Sequence, residues 1–306
     1  MSTLGTPPEV RPDTPLARLT TVRTGGRAEY FARPQTPEAL VALLAWAGER
    51  GLAVGVVGSG SNLLVADAGV RGLVLKLDGG LSAIEPDGCR LRCGGGARLP
   101  RVAARAAVLG LAGIEFGASI PGTVGGAVRM NANAYGGELA RVLEWVEVAT
   151  AAGVDRRAPD ALGFGYRRSA LGGGEVVAGA GFVLGSAPTP EVRARLADLR
   201  ARRREAQPSG IKTFGSTFQN PDDPRAQGRS AGQLLDAAGC RGLRVGGARF
   251  SPVHANFVEN DNGATTADVV ALMDLGRRRV AERFGIELEP EVQRLGDVAL
   301  PWRTAS

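Results

Sequence analysis

Leu40, Leu43, Leu44 and Ala47 recur at the three- and four-residue spacing of a helix, and Gly51 supplies a terminal residue, so the pattern predicts a helix over 37–51. A glycine turn and strand over 20–34 precede it, and an apolar strand over 52–57 follows, giving a βαβ unit that ends in a glycine loop. Further along, GLVLKLD at 72–78 reads as a strand, and 89–113 as strand, turn and helix, with Arg101, Arg105 and Leu109 at four-residue spacing. RVLEWVEVATAAGVDRRA predicts a hairpin turning at Ala151-Ala152-Gly153, and 175–184 another strand. A polar helix over 188–206 opens with Thr189 and Glu191, and QPSG at 207–210 marks a boundary. Beyond it, 230–239 and 265–285 read as helices, with strands around 244–258 and 286–294. The expected organisation is a flexible arm over 1–18, two α/β lobes over about 19–78 and 79–205, and a smaller α/β domain over 206–306.

Two glycine segments interrupt this pattern. Residues 113–137, GIEFGASIPGTVGGAVRMNANAYGG, place glycine at 117, 122, 125, 126, 136 and 137, with Pro121 fixing φ before Gly122. Bare backbone admits a phosphate or a flat cofactor, and it equally serves tight packing in a chain holding Gly 45. The loop at 58–62, GSGSN, is neither a GxGxxG fingerprint nor a P-loop, since no lysine follows its glycines. Its amides with Ser59 and Ser61 suit a pyrophosphate concavity, or simply a turn.

Charge narrows the ligand class. The 306 residues carry a formal net charge of +6, dispersed along the chain, with aromatic residues at 5%. An RNA binder would concentrate cations beside stacking aromatics, so an anionic small molecule fits better and nucleic acid is not an expected partner. Arginine dominates, lysine standing only at 76 and 212; its planar fork suits carboxylates and phosphates, and genome composition can produce the same bias. Arg200, Arg202, Arg203 and Arg204 read as a solvated helix end. Cys89, Cys93 and Cys240 form neither a disulfide framework nor a metal pattern. His254 is the sole histidine, which excludes multi-histidine zinc sites. No apolar run has the length of a membrane span and the N-terminus lacks a signal pattern, so the expected setting is cytoplasmic, without membrane association.

Three separated segments carry candidate chemistry. In Tyr166-Arg167-Arg168-Ser169 an arginine can clamp a carboxylate bidentately; if the segment is extended, the two arginines face opposite ways. Gly215-Ser216-Thr217-Phe218 offers a hydroxyl without a nucleophile elbow, able to donate a proton or to satisfy a turn. Glu289 and Glu291 flank Pro290, and exposed strand charges are the ordinary account of such a pair.

Together, VGSGSNLLV (57–65), the 113–137 segment, FGYRRS (164–169), GSTFQNP (215–221), HANFVEN (254–260) and LEPEV (288–292) resemble the signatures of the UDP-N-acetylenolpyruvoylglucosamine reductase family, in the family's order. The resemblance implies an α/β (α+β) fold: a two-lobed FAD-binding domain of the p-cresol methylhydroxylase/vanillyl-alcohol oxidase type, then a substrate-binding domain. It implies noncovalent FAD, contacted by Gly58, Ser59, Gly60, Ser61, Asn62 and Leu63, and by Ser119, Ile120, Pro121, Gly122, Thr123, Gly125 and Gly126, with Asn131, Ala132 and Tyr135 on the continuing wall. NADPH is the implied reducing cosubstrate, and a UDP-linked amino sugar enolpyruvyl ether the substrate reduced in peptidoglycan precursor synthesis. Catalysis would fall to Arg167, Ser216 as proton donor and Glu291, with Tyr166, Asn220 and His254 against the substrate. A monomer is expected. Ser59 stands where the family has glycine, and Asn133 where it more often has glycine, a position expected to need left-handed backbone. Lys212 has no assigned role. The short interval from Arg167 to Ser216 resembles members lacking a long tyrosine-bearing lid. Two readings compete: another two-lobed FAD oxidoreductase such as an alcohol oxidase, and a nonenzymatic nucleotide- or RNA-binding module.

Overall fold

The computed structural model describes residues 7, 9–208 and 210–303. The chain divides into two compact units, one built from Glu29–Ser59 and Arg71–Arg203 with the described residues before Pro15, the other from Pro15–Ala28, Gly60–Val70 and the described residues from Arg204 onward. The division cuts across the expected first lobe for a physical reason. Leu63–Val65 pairs in parallel with Gln293–Leu295, and the Asp67 carboxylate accepts from the amides of Thr266 and Ala267, both at 2.9 Å, at the start of a C-terminal helix. An anion at a helix N-terminus meets unsatisfied N–H groups and the positive end of the dipole. Of the expected arm, residues 1–6 and 8 lie outside the described residues, while Arg11–Pro15 forms a strand.

In the larger unit, α1 (Pro37–Glu49) starts where the Thr36 side chain accepts from the Ala39 amide at 3.3 Å, with Pro37 preset for the first turn. Its buried face, Leu40, Leu43, Leu44, Trp46 and Ala47, packs on Leu73, Leu75, Ala149 and Val176. Each fully buried leucine there contributes about 1.5–3 kcal/mol. A four-stranded sheet runs in the order Arg11–Pro15, Arg27–Ala32, Val70–Leu75, Val54–Val56. A five-stranded antiparallel sheet follows, in the order Gly153–Arg157, Leu143–Thr150, Val176–Val183, Arg90–Gly94, Ile84–Asp87. The hairpin turns between Thr150 and Gly153 as the sequence predicts. α2 (Leu99–Val108) buries Leu99, Val102, Ala103, Ala106 and Ala107 and leaves Arg101, Arg105 and Leu109 outside.

The glycine stretch folds back on the residues before α2. The amides of Val124 and Gly125 donate to Ala97 O at 2.8 Å and Gly95 O at 2.7 Å, and a β-carbon on Gly125 would stand 3.1 Å from that Gly95 oxygen. α3 (Val124–Arg129) begins here, capped by Thr123. α4 (Thr189–Ala206) ends just before the predicted boundary. Arg202 pairs with Asp198 on its exposed side, but Arg203 is half-buried rather than solvated, and burial lowers its pKa.

The smaller unit surrounds Phe214, Phe218, Phe250, Leu234, Leu235, Leu272 and Met273, all buried. α5 (Ala231–Ala237) and α6 (Thr266–Phe284) both open with capping boxes, Ser230 with Gln233 and Thr265 with Asp268. A three-stranded sheet, Arg244–Val245, Ala248–Phe250 and Val258–Asn260, packs beside α6. The predicted strand over 286–294 is realised as Gln293–Leu295, preceded by a single antiparallel bridge of Pro290 to Phe218. No helix among the described residues is long and apolar enough to cross a membrane.

Candidate active site

The first glycine loop links Val54–Val56 to Leu63–Val65, and its carbonyl groups turn into the protein. In the larger unit Lys76 Nζ donates to Gly58 O at 2.5 Å, and burial, then the charges of Arg33 and Arg98, hold that ammonium below its usual pKa. In the smaller unit Thr21 N donates to Gly60 O at 3.0 Å, Gly215 N to Ser61 O at 2.8 Å and Gln293 N to Asn62 O at 3.1 Å. Gly60 is obligatory: at φ +67, a β-carbon would lie 2.1 Å from Leu19 O.

Gly58 touches the second glycine segment, since a β-carbon there would stand 2.6 Å from Thr123 Oγ1. Ile120, Pro121 and Gly122 lead into Thr123, while Gly125 and Gly126 lie within α3. Ser119 is buried, and its hydroxyl donates to Leu199 O on α4 at 3.3 Å. Asn131 and Tyr135 take left-handed backbone, φ 38 and 50, with Asn131 and Ala132 buried and Tyr135 exposed. Asn133, expected to be left-handed, instead lies in the strand Asn133–Ala134. Its side chain has other work: Arg167 Nη1 donates to Asn133 Oδ1 at 2.8 Å and to Asn133 O at 3.4 Å.

Residues 164–169 are not extended. Gly165 and Arg168 exchange both backbone hydrogen bonds, at 3.1 and 3.3 Å, making a tight turn with Tyr166 and Arg167 at its centre. Arg167 sits at φ 55, its guanidinium 5.2 Å from the exposed Tyr166 ring, and Arg168 is exposed. Opposite-face alternation therefore does not separate the arginines; the turn does, by giving Arg167 the left-handed position.

The smaller unit brings two of the three candidate catalytic segments together. Glu291 N donates to Thr217 O at 2.9 Å and Gln219 N to Glu289 O at 2.8 Å, so the residues that follow Ser216 run antiparallel to Glu289–Glu291. Asn62 Nδ2 adds a bond to Glu291 O at 3.3 Å, tying the first glycine loop to the same place. Both Ser216 and Glu291 are half-buried.

Asn256, which no sequence argument singled out, braces this segment. Buried, it accepts from Phe218 N and donates to Phe218 O, each at 2.9 Å, while its own carbonyl accepts from Thr217 N at 2.8 Å. The HANF motif carries it, two positions after the histidine. His254 lies against α5, where a β-carbon on Gly232 would meet its ring at 2.7 Å, and its Nδ1 accepts from Asn256 N at 3.2 Å. Burial, then Arg241, lower its pKa. Asn220 is exposed and its Oδ1 accepts from Ala231 N at 3.1 Å at the start of α5. Lys212 is exposed, its carbonyl accepting from Asn260 N at 2.8 Å.

The residues present fit a flavin. Among the described residues, Asn62 Oδ1 and Asn131 Oδ1, on two of the residues expected at the cofactor, are buried without a hydrogen bond, and so is Thr217 Oγ1 beside Ser216. Buried polar atoms are rarely left so in a folded chain unless a ligand or water completes them.

Comparison with known proteins decides the family. Residues 28–157 match the FAD binding domain family, and residues 207–295 match the UDP-N-acetylenolpyruvoylglucosamine reductase, C-terminal domain. The UDP-N-acetylenolpyruvoylglucosamine reductase of Anaeromyxobacter sp. (strain Fw109-5) is 48% identical over 289 residues, covering 94% of this chain and 89% of that protein. This chain belongs to the UDP-N-acetylenolpyruvoylglucosamine reductase family. The crystal structure of the reductase from Thermus caldophilus superposes with a TM-score of 0.81 at 37% identity, over 94% of this chain and 98% of that one. The 6-hydroxy-D-nicotine oxidase of Arthrobacter nicotinovorans, at 14% identity and TM-score 0.52 over 85% and 81% of the two chains, shares the fold. The protein is thus an oxidoreductase with an FAD-binding domain of the vanillyl-alcohol oxidase type and a reductase-family C-terminal domain, and the nonenzymatic reading falls away.

Proposed function

We propose that the protein uses NADPH and noncovalent FAD to reduce UDP-N-acetyl-3-O-(1-carboxyvinyl)-glucosamine to UDP-N-acetylmuramate in the cytoplasm. The observation that carries this reading is the pairing of Glu291 N with Thr217 O at 2.9 Å, with Asn62 Nδ2 on Glu291 O at 3.3 Å, because it sets the expected acid, carboxylate and flavin loop on one backbone framework.

FAD bound there would supply the hydride chemistry that couples NADPH oxidation to reduction of the vinyl group. The residues manage charge and the proton. Arg167 holds the substrate carboxylate with its planar fork as negative charge spreads from the adjacent carbon. Ser216 Oγ gives its proton to that carbon, whose new C–H bond uses the electron pair of the former double bond, and solvent restores the hydroxyl. Glu291 supports the enol-like charge distribution and proton delivery, its amide bonded to Thr217 O and its carbonyl to the Asn62 side chain. Gly58–Leu63 and Ser119–Gly126 would hold the cofactor, with Asn62 and Asn131 presenting acceptor oxygens. Tyr166, Asn220 and His254 would shape the substrate wall.

The test is a single turnover without oxygen. NADPH should bleach the flavin, and addition of the enolpyruvyl nucleotide should restore its colour while forming a product heavier by two hydrogens in the mass spectrum. Colour that returns only with oxygen would overturn the substrate assignment.

A further inference from the structure

Alternate residues of one segment grip alternate residues of another. Arg129 O accepts from Ser169 Oγ at 2.9 Å, Asn131 Nδ2 donates to Gly165 O at 3.3 Å, and Asn133 Oδ1 accepts from Arg167 Nη1 at 2.8 Å. The first two bonds fix the turn; the third fixes the guanidinium itself. We propose that Asn133 is a positioning residue, holding the Arg167 fork in the orientation that receives the substrate carboxylate. The proposal rests on the function proposed above.

Three features favour it. The Asn133 main-chain carbonyl, at 3.4 Å, is the longer contact, so a glycine here would keep only the weaker anchor. The side-chain amide is neutral: it occupies one of the guanidinium's five N–H groups without cancelling the charge that a carboxylate ligand needs. Arg167 is also held from two other directions, by left-handed backbone at φ 55 and by the Tyr166 ring at 5.2 Å. Fixing a long side chain before the ligand arrives reduces the rotamer freedom lost on binding.

Asn133→Gly, Asn133→Asp and the double variant Asn133→Gly/Arg167→Lys test this in the flavin-loaded enzyme. Asn133→Gly should raise the substrate KM roughly 3- to 10-fold, the effect of one net hydrogen bond, with much less change in flavin reduction by NADPH. Asn133→Asp restores an acceptor but neutralises the fork, and should impair the substrate step more than glycine does. Added to Arg167→Lys, the glycine change should cost little more, since the anchored group is already gone. Independently of turnover, ¹⁵N-edited spectra should show slow Arg167 guanidinium rotation in the parent and faster rotation in Asn133→Gly. An unchanged substrate KM and unchanged rotation in Asn133→Gly, fully additive effects, or an Asn133→Asp enzyme as good as the parent would overturn the proposal. A parent whose reduced flavin the nucleotide fails to reoxidise overturns the proposed function instead, and the spectra still decide whether Asn133 holds Arg167.

Discussion

The Glu291 amide donates to the Thr217 carbonyl at 2.9 Å, so two residues from motifs far apart in the chain share a hydrogen bond one position from Ser216. Asn256 stiffens the same place, with its side-chain amide meeting both main-chain groups of Phe218 at 2.9 Å. Asn256→Ala leaves a buried N–H and C=O without partners and should destabilise the fold by about 1–3 kcal/mol, read from denaturant titration. A variant as stable as the parent would mean that the segment does not depend on this brace.

Noncovalent flavin is the second expectation. Purified protein should be yellow, and denaturation followed by chromatography should release intact FAD with a colourless polypeptide. Colour retained on the denatured chain contradicts it, and folded protein that never takes up FAD contradicts the cofactor assignment altogether.

The turn at 165–168 separates two adjacent arginines. Arg167→Lys keeps the charge and loses the fork, so it should slow flavin reoxidation by the nucleotide far more than flavin reduction by NADPH. Arg168 is exposed and holds the turn through its backbone, so Arg168→Lys should behave like the parent. Rapid-mixing absorbance follows each step; the reverse ranking would show that the wrong arginine has been assigned.

His254 gives a pH dependence of known sign. Burial sets its folded pKa below the unfolded value, so the stability linked to its neutral ring is complete above the unfolded pKa and is lost as pH falls through the folded one. Unfolding titrations from pH 7 to about pH 5 should show stability falling, and His254→Gln should flatten that slope. An identical slope in the variant would assign the dependence to other groups.

Much of the fold was legible because local periodicity carried it. α1 followed from Leu40, Leu43, Leu44 and Ala47, and the 143–157 hairpin from alternating strands around a small-residue turn. What escaped were relations between distant segments. Nothing local announces that Leu63–Val65 pairs with Gln293–Leu295, and that pairing takes the end of the first glycine loop into the smaller unit. The backbone preference of Asn133 does not disclose that its side chain reaches Arg167. The FGYRRS motif was placed but its shape was not, because a left-handed arginine is maintained by the contacts around it rather than by its own propensity. In Ser216 and Glu291 the candidate chemistry was legible; the shared backbone framework came only with the fold.

If Ser216 supplies the proton in the substrate step, anaerobic stopped-flow absorbance on Ser216→Ala separates the two half-reactions. Flavin bleaching by NADPH should proceed as in the parent, while reoxidation by the enolpyruvyl nucleotide slows by about 10²–10⁴, the usual range for a lost general acid. Equal slowing of both steps, or reoxidation near the parent rate, would contradict the account.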